Sequence, residues 1–288
     1  MTRAVAFATA AAFVAVLHAA DDRPRFEVAS VKACGPADPG FRGGGPSKFS
    51  PDRVAINCQI LKGLIQQAYI AHKDGGTEQD AVLRTPIENG PDWISAERYS
   101  IDAKTAVEAS QGMIMGPYLQ TLLEDRFKLK IRRLTREIPT WDLVVARGGP
   151  KLSPFPEGSC VRSPAFPFAA PPLAPGERRC RNAVQFKGTS VVTDEEGVTL
   201  ADLAKFSLLL ASGRPVNDKT GLTGRFNVHL EYAPPEDARV NGQRIDAADV
   251  TAPSIFTAIQ EQLGLRLESS KGPGEYLVID HVERPTAD

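Results

Sequence analysis

The chain has no surplus of either charge. Lysine and arginine number 34, aspartate and glutamate 35, and the net charge is −1. A general nucleic-acid binder usually carries a basic surplus, so the balance argues against that class. There is no His-Glu-x-x-His and no Gly-x-Ser-x-Gly, so neither a zincin helix nor a nucleophile elbow is present. No two cysteines stand within four residues of each other, which argues against a four-thiolate zinc site. The four histidines, His18, His72, His229 and His281, have no second ligand at metal spacing. Past the N-terminus, no apolar run is long enough to span a bilayer. These absences weaken an enzymatic reading without closing it, because triads and carboxylate pairs assemble in space.

The first segment has its own character. Arg3 precedes an Ala/Val/Phe/Leu run from Ala4 to Leu17, and His18-Ala19-Ala20 leads to Asp21-Asp22. A positive start, an apolar middle and small residues at the exit describe a secretory signal peptide over 1–20. An uncleaved anchor is the alternative, although the run is short for a span. The expected location is periplasmic or secreted, with no stable membrane span after cleavage.

Cys34, Cys58, Cys160 and Cys180 all lie beyond that segment. An even count in an exported chain predicts disulfides. Three pairings are open from sequence. Order and spacing favour Cys34 with Cys58 and Cys160 with Cys180, each closing a Gly/Pro-rich loop. Such loops of roughly 20–25 residues correspond to about 3 kcal/mol per bond in the chain-entropy picture.

One unit stands out at Ser254–Pro285. Ser254 caps a helix carrying Ile255, Phe256, Ile259 and Leu263 on one stripe, and Gly264 ends it. Leu265 and Leu267, then Tyr276–Ile279, read as two strands, with Lys271-Gly272-Pro273-Gly274 as the turn between them. The same grammar occurs earlier. Gly116-Pro117 opens a helix with Leu119, Leu122, Leu123 and Phe127 on its stripe. Leu129 and Ile131 alternate with Lys128, Lys130 and Arg132 as a strand, and Trp141–Ala146 is a second apolar run. Leu119 onward aligns with Ile255 onward without a gap. Each unit follows a weaker pair: a Leu61–Ala68 stripe before an Arg98–Ala103 strand, and a Leu200–Leu210 stripe before Arg225–Tyr232. Two related halves are expected, though helix-then-strand patterns are common enough to coincide.

The rest of the chain reads in order. Phe26–Lys32 is a first strand. Phe41-Arg-Gly-Gly-Gly-Pro46 lies in a loop and lacks the Gly-Lys-Ser/Thr and helix of a phosphate-binding loop. Residues 72–89 are polar and loop-like. Trp93 plugs a core end or stacks a ligand, the former being the commoner role. Lys128, Lys130, Arg132, Arg133 and Arg136 form a basic run. It is either a contact for an acidic partner or a solvated strand face that deters edge pairing. Ser153–Arg179 holds seven prolines and reads as a linker closed by Cys160–Cys180. Val184–Phe186 and Val191–Thr193 are strand-like, and Thr199 caps a helix with Asp202 in its first turn. Glu195 with Glu196, and Asp246 with Asp249, are paired acids expected in loops.

Phe26-Glu-Val-Ala-Ser-Val-Lys32, Gly90-Pro-Asp-Trp93, Leu123-Glu-Asp-Arg-Phe-Lys-Leu129 and Asp218-Lys-Thr-Gly-Leu-Thr-Gly-Arg-Phe226 resemble a soil-associated bacterial family of exported proteins of unknown function. So do Leu263-Gly-Leu265, Lys271-Gly-Pro273 and Val278–Pro285. The resemblance covers nearly the whole mature chain. It implies export and a mixed α+β fold, and brings no established activity, cofactor or catalytic residue. Members of that family also occur fused to antibiotic-receptor-type sensor metallopeptidases, a part this sequence lacks. Val198–Asp280 also resembles the short N-terminal domain of secretins and TonB-dependent receptors, a protein-contact module, apart from its Asp218–Gly224 insertion.

The expected architecture is α+β, in two related halves that each pack helices on a small antiparallel sheet. Its divisions are 1–20 signal peptide, 21–152 first half, 153–183 proline-rich disulfide-closed linker and 184–288 second half. The expected function is a non-enzymatic extracytoplasmic binding or interaction module, with an envelope protein or an anionic polymer as partner and no nucleic acid. The alternative is a hydrolase acting on an envelope or soil polymer through loop carboxylates. No catalytic, metal or cofactor residue is assigned and no cofactor is expected. The site residues are the four cysteines.

Overall fold

The fold was obtained as a computed structural model. It describes residues 23–38, 40–45, 47–162, 172–235, 239–240, 243–244 and 250–285. The predicted signal peptide and the Asp246/Asp249 pair lie outside these residues.

The fold is α+β. Strands β1 (Val28–Ala33), β2 (Lys48–Ser50), β3 (Arg53–Ile60) and β5 (Arg98–Lys104) make a first sheet in the order β1-β5-β3-β2, all antiparallel. Two helices cover one face. Helix α1 runs Leu61–Gln66 and continues as a π turn, Gln67–Ala71. Helix α4 runs Gln111–Met113, a π turn Ile114–Tyr118, then Leu119–Phe127. Short α2 (Gln79–Arg84), β4 (Ile87–Glu88) and α3 (Trp93–Ala96) lie between them in the chain.

The second lobe is built alike. Strands β7 (Ser153–Pro154), β8 (Asn182–Lys187), β9 (Ser190–Val198) and β11 (Phe226–Tyr232) form a sheet in the order β7-β11-β9-β8. Helix α5 runs Leu200–Leu203, a π turn Ala204–Leu208 and Leu209–Ser212, and β10 (Val216–Asp218) follows. A small antiparallel pair, β12 (Arg239–Val240) with β13 (Gln243–Arg244), comes after β11. Helix α6 runs Ile255–Ala258 with a π turn Ile259–Leu263. Ser110, Thr199 and Ser254 each accept a hydrogen bond from the backbone N–H three residues on, satisfying an end group the helix leaves bare. Lys128 and Gly264 end α4 and α6 in the left-handed region.

The long strands β6 (Lys130–Val145) and β14 (Leu265–His281) join the lobes as one antiparallel ribbon. This corrects the expected turn. Lys271-Gly272-Pro273-Gly274 does not reverse the chain but runs straight through β14, opposite Pro139, Ile138, Glu137 and Arg136. Likewise Leu129–Ile131 and Trp141–Ala146 are not two arms of a local hairpin but belong to one continuous course through β6. Prolines are tolerated here because the flanking strands are short. On the outer edges, β10 covers only Trp141–Leu143 and β4 only Leu277–Val278. Between these points each strand has a free side, where a missing N–H breaks no ladder bond. A Cβ at Gly274 would come within 2.4 Å of Ile138 Cδ1, so a larger residue there would require that side chain to turn aside.

The ribbon crosses between two separate cores. Leu277 and Ile279 pack in the first, with Leu64, Ile65, Tyr99 and Phe127. Leu143 and Leu265 pack in the second, with Leu203, Leu208, Leu230 and Ile259. The divisions at 152 and 184 therefore do not follow the cores. Ser153–Pro154, placed by sequence in the linker, pairs with β11 as an edge strand.

The pairing has a two-fold pattern. The gapless alignment of Leu119 with Ile255 carries Trp141 onto Leu277. The Trp141 backbone N–H donates to Pro215 at 2.8 Å and that of Leu277 donates to Pro86 at 3.0 Å, where β10 and β4 join in parallel. The same alignment carries Glu137 onto Pro273, and those two residues face each other across the ribbon. The ribbon's pairing is thus matched about its middle.

Other local expectations shift. Gly116 and Pro117 do not open α4 but sit inside it, within its π turn, where the altered bonding accommodates a residue with no N–H. Residues 72–89 contain α2 and β4 as well as loop. Glu195 and Glu196 stand on strand β9 rather than in a loop. The hairpin expected over Leu265–Ile279 is therefore absent, because β14 pairs with β6 instead.

Candidate ligand-binding cleft

Cys34 is joined to Cys58 and Cys160 to Cys180, with Cα separations of 5.8 and 4.9 Å. Both bonds act structurally. Cys34–Cys58 ties the end of β1 to β3, beside the Ser100 hydroxyl, which accepts from the Cys58 N–H at 3.1 Å. Residues 40–45 fold against β3 through Gln59, whose Nε2 donates to Gly45 O at 3.1 Å. This glycine segment leads into β2, not into a helix.

The basic run on β6 is mostly neutralised. Arg132 pairs with Asp280 at 2.8 Å, Arg133 with Glu275 at 3.2 Å and Arg136 with Glu88 at 2.8 Å. Arg136 also lies 5.0 Å over the Tyr276 ring. Trp93 packs half-buried against the first core, with the Arg284 guanidinium 4.9 Å from its ring. Arg284 in turn grips Glu97 and holds its carboxyl below the usual range, against a smaller opposing effect of burial.

The histidines divide. His72 is buried at the end of α1, its Nδ1 2.7 Å from Gly76 O. His281 pairs with Glu283 at 2.7 Å. His229 on β11 sits opposite Asp194 on β9, Nδ1 to Oδ1 2.7 Å. Asp194, His229 and Ser153 line one open concavity of about 480 Å³. The imidazole is 63% exposed, and no hydrogen bond links it to Ser153 among the described residues. That is no triad geometry, which needs a shielded base in contact with the hydroxyl. Glu195 is buried and bonded to the Ser207 hydroxyl, and burial pushes its carboxyl up. Its neighbour Glu196 points to the other face and is held down by Arg178. The two acids do not converge. Among the described residues no group of three or more His, Cys, Asp or Glu could hold a metal.

The larger concavity, about 580 Å³, lies where the lobes meet over the middle of the ribbon. Its floor is Ile138 and Thr140 of β6 with Gly272, Pro273 and Gly274 of β14. One wall comes from the end of α1 and from α2, carrying Lys73, Glu78 and Arg84. The other comes from α5 and β10, carrying Lys205, Asp218 and Lys219. Several of these charges are already engaged. Arg84 pairs with Asp80 at 3.2 Å, and Arg133 on the rim bonds Glu275 and the Tyr69 carbonyl. Asp218 accepts from the Thr220 N–H at 3.0 Å and hydroxyl at 2.7 Å. Lys73, Lys205 and Lys219 make no ion pair among the described residues. Against these three stand two carboxylates that make no ion pair among the described residues, Glu78 and Asp218. Sequence reasoning passed over these lysines, because they are scattered between 73 and 219 and meet only through the ribbon. The gapless alignment of Leu119 onward with Ile255 onward was the one available hint, since related halves would set their helices on either side of a shared ribbon.

Fold and site together define a two-lobed α+β module with a polar cleft across its connecting ribbon. The chain belongs to the family described as "Protein of unknown function (DUF3738)", whose model matches residues 62–282. No curated protein and no solved structure matches the chain. Among the described residues no helix is long and apolar enough to cross a membrane. Together with the two disulfides, this is compatible with an extracytoplasmic location.

Proposed function

We propose that this protein is an exported, non-enzymatic binding module that holds a small anionic ligand in the cleft between its lobes. The observation that carries the reading is the meeting of Lys73, Lys205 and Lys219, all without ion pairs among the described residues, around one concavity. Cations left unpaired beside a low-dielectric floor attract anions more strongly than cations on an open surface. The volume also falls in the range of small-molecule sites. Duplication of a single strand–helix unit accounts for the matching strand orders and the ribbon's matched pairing, with the cleft as the junction the two copies share. The N-terminal segment, read as a signal peptide, and the paired cysteines support export.

The test is titration of the mature chain with glutarate and with inorganic phosphate, followed by calorimetry at low and high salt. Binding should weaken with salt. Lys205→Glu should reduce affinity about tenfold or more, since a hydrogen bond to a charged group is worth roughly 1.5–3 kcal/mol. Binding unaffected by Lys73→Glu, Lys205→Glu and Lys219→Glu together would refute the reading.

A further inference from the structure

We infer that the cleft takes a two-ended anion: two acidic groups joined by a short aliphatic span that bridges the lobes. This rests on the proposed anion-binding reading and narrows its ligand. The free cations come from both lobes. Lys73 follows α1 on the first lobe, while Lys205 on α5 and Lys219 after β10 belong to the second. The arginines nearby are already engaged, Arg84 with Asp80 and Arg133 with Glu275. Two acidic groups joined by a short span would engage the lysines of both walls at once.

The floor sets the middle of the ligand. Ile138, Gly272, Pro273 and Gly274 offer apolar surface, and no lining residue is aromatic. A nucleobase or a sugar ring would find no stacking platform. The polar groups beside the floor are largely committed. The Asn217 amide donates to Asp142 at 3.0 Å and lies 3.4 Å from the Thr140 hydroxyl. A chain of hydroxyls would meet few free partners, whereas methylenes lose nothing there. Unengaged Glu78 on the Lys73 wall disfavours a third acidic group on that side.

The experiment compares straight-chain α,ω-dicarboxylates of four to ten carbons with monocarboxylates of equal length, on the full mature chain. Matching α,ω-bisphosphonates form a second arm that decides between carboxylate and phosphate ends. One diacid length should bind at least tenfold more tightly than its monoacid. Lys73→Gln should bring that diacid down to the monoacid's affinity, and Lys205→Gln with Lys219→Gln should do the same from the other wall. Thermal melts confirm that these surface variants stay folded. Equal affinity for monoacids and diacids, with lysine-dependent binding of both, overturns the two-ended ligand and leaves the anion site standing. Absence of lysine-dependent binding for every acid overturns both.

Discussion

Leu277 is the most direct probe of how this chain is put together. It belongs by sequence to the C-terminal unit, yet it is fully buried in the core of the first lobe. Leu143 is its opposite: a residue from the first half, fully buried in the second core. Truncating a fully buried leucine to alanine removes its transfer free energy and leaves a cavity, together about 3–5 kcal/mol. At roughly 2–4 °C per kcal/mol for a chain of this size, either variant should melt about 6–20 °C lower. The melt alone does not say which lobe was hurt. Native-state hydrogen exchange does, because openings below the global one are local. Leu277→Ala should speed exchange in Leu61–Ala71 and Arg98–Lys104 more than in Ser190–Val198 and Phe226–Tyr232. Leu143→Ala should produce the reverse. If Leu277→Ala loosened α5, β9 and β11 while leaving α1 and β5 protected, the crossed ribbon would be wrong and the turn at Lys271–Gly274 would have to be restored.

Two further substitutions test local chemistry. A Cβ at Gly116 would lie 1.8 Å from the His72 carbonyl oxygen, a backbone atom that cannot move aside. Gly116→Ala should therefore cost roughly 3 kcal/mol or more by chemical denaturation. Gly63→Ala, in α1 with 3.4 Å to Ile60 Cγ1, should instead gain up to about 1 kcal/mol from helix propensity. Burial raises the Glu195 carboxyl in the folded state, so folding favours its protonated form. Its unfavourable contribution is absent below the ordinary carboxylate range and grows as pH rises through the raised value. Glu195→Gln should raise the urea midpoint at pH 8, and the two proteins should converge near pH 4. A midpoint lowered at pH 8 would show that the charged form is the one the fold prefers.

Local structure was legible wherever a local rule decides it. Ser254, Thr199 and Gly264 mark helix ends through groups within four residues, and the structure places them at those ends. Val228 and Leu230 alternate as a half-buried strand should. The failures are non-local. Gly272-Pro273-Gly274 has turn chemistry, and only the partner strand, more than a hundred residues away, holds it extended. The arginines of β6 resemble a contact surface until Asp280, Glu275 and Glu88 are brought beside them. Helix α2 and strand β4 were missed for a different reason: their short spans within 79–88 carry too few residues for a period to emerge. Ile87–Glu88 is a strand only because β14 supplies its partner.

The place of the cleft follows from the thinness of the ribbon. A two-stranded stretch cannot bury a core of its own. Where β6 and β14 have lost contact with both lobes' interiors, their middle must stay partly open to solvent. The lobes each set a helix beside that stretch, α1 on one side and α5 on the other, and the concavity is what lies between. The ribbon offers both sides a similar backbone pattern, with Pro86 and Pro215 each accepting a ribbon N–H. It does not fix their side chains. Lys73 and Glu78 on one wall face Lys205, Asp218 and Lys219 on the other, so the two walls carry unmatched charge. The two ends of a molecule spanning the proposed site would therefore meet different surroundings, one beside Lys73 and Glu78 and the other beside Lys205, Asp218 and Lys219.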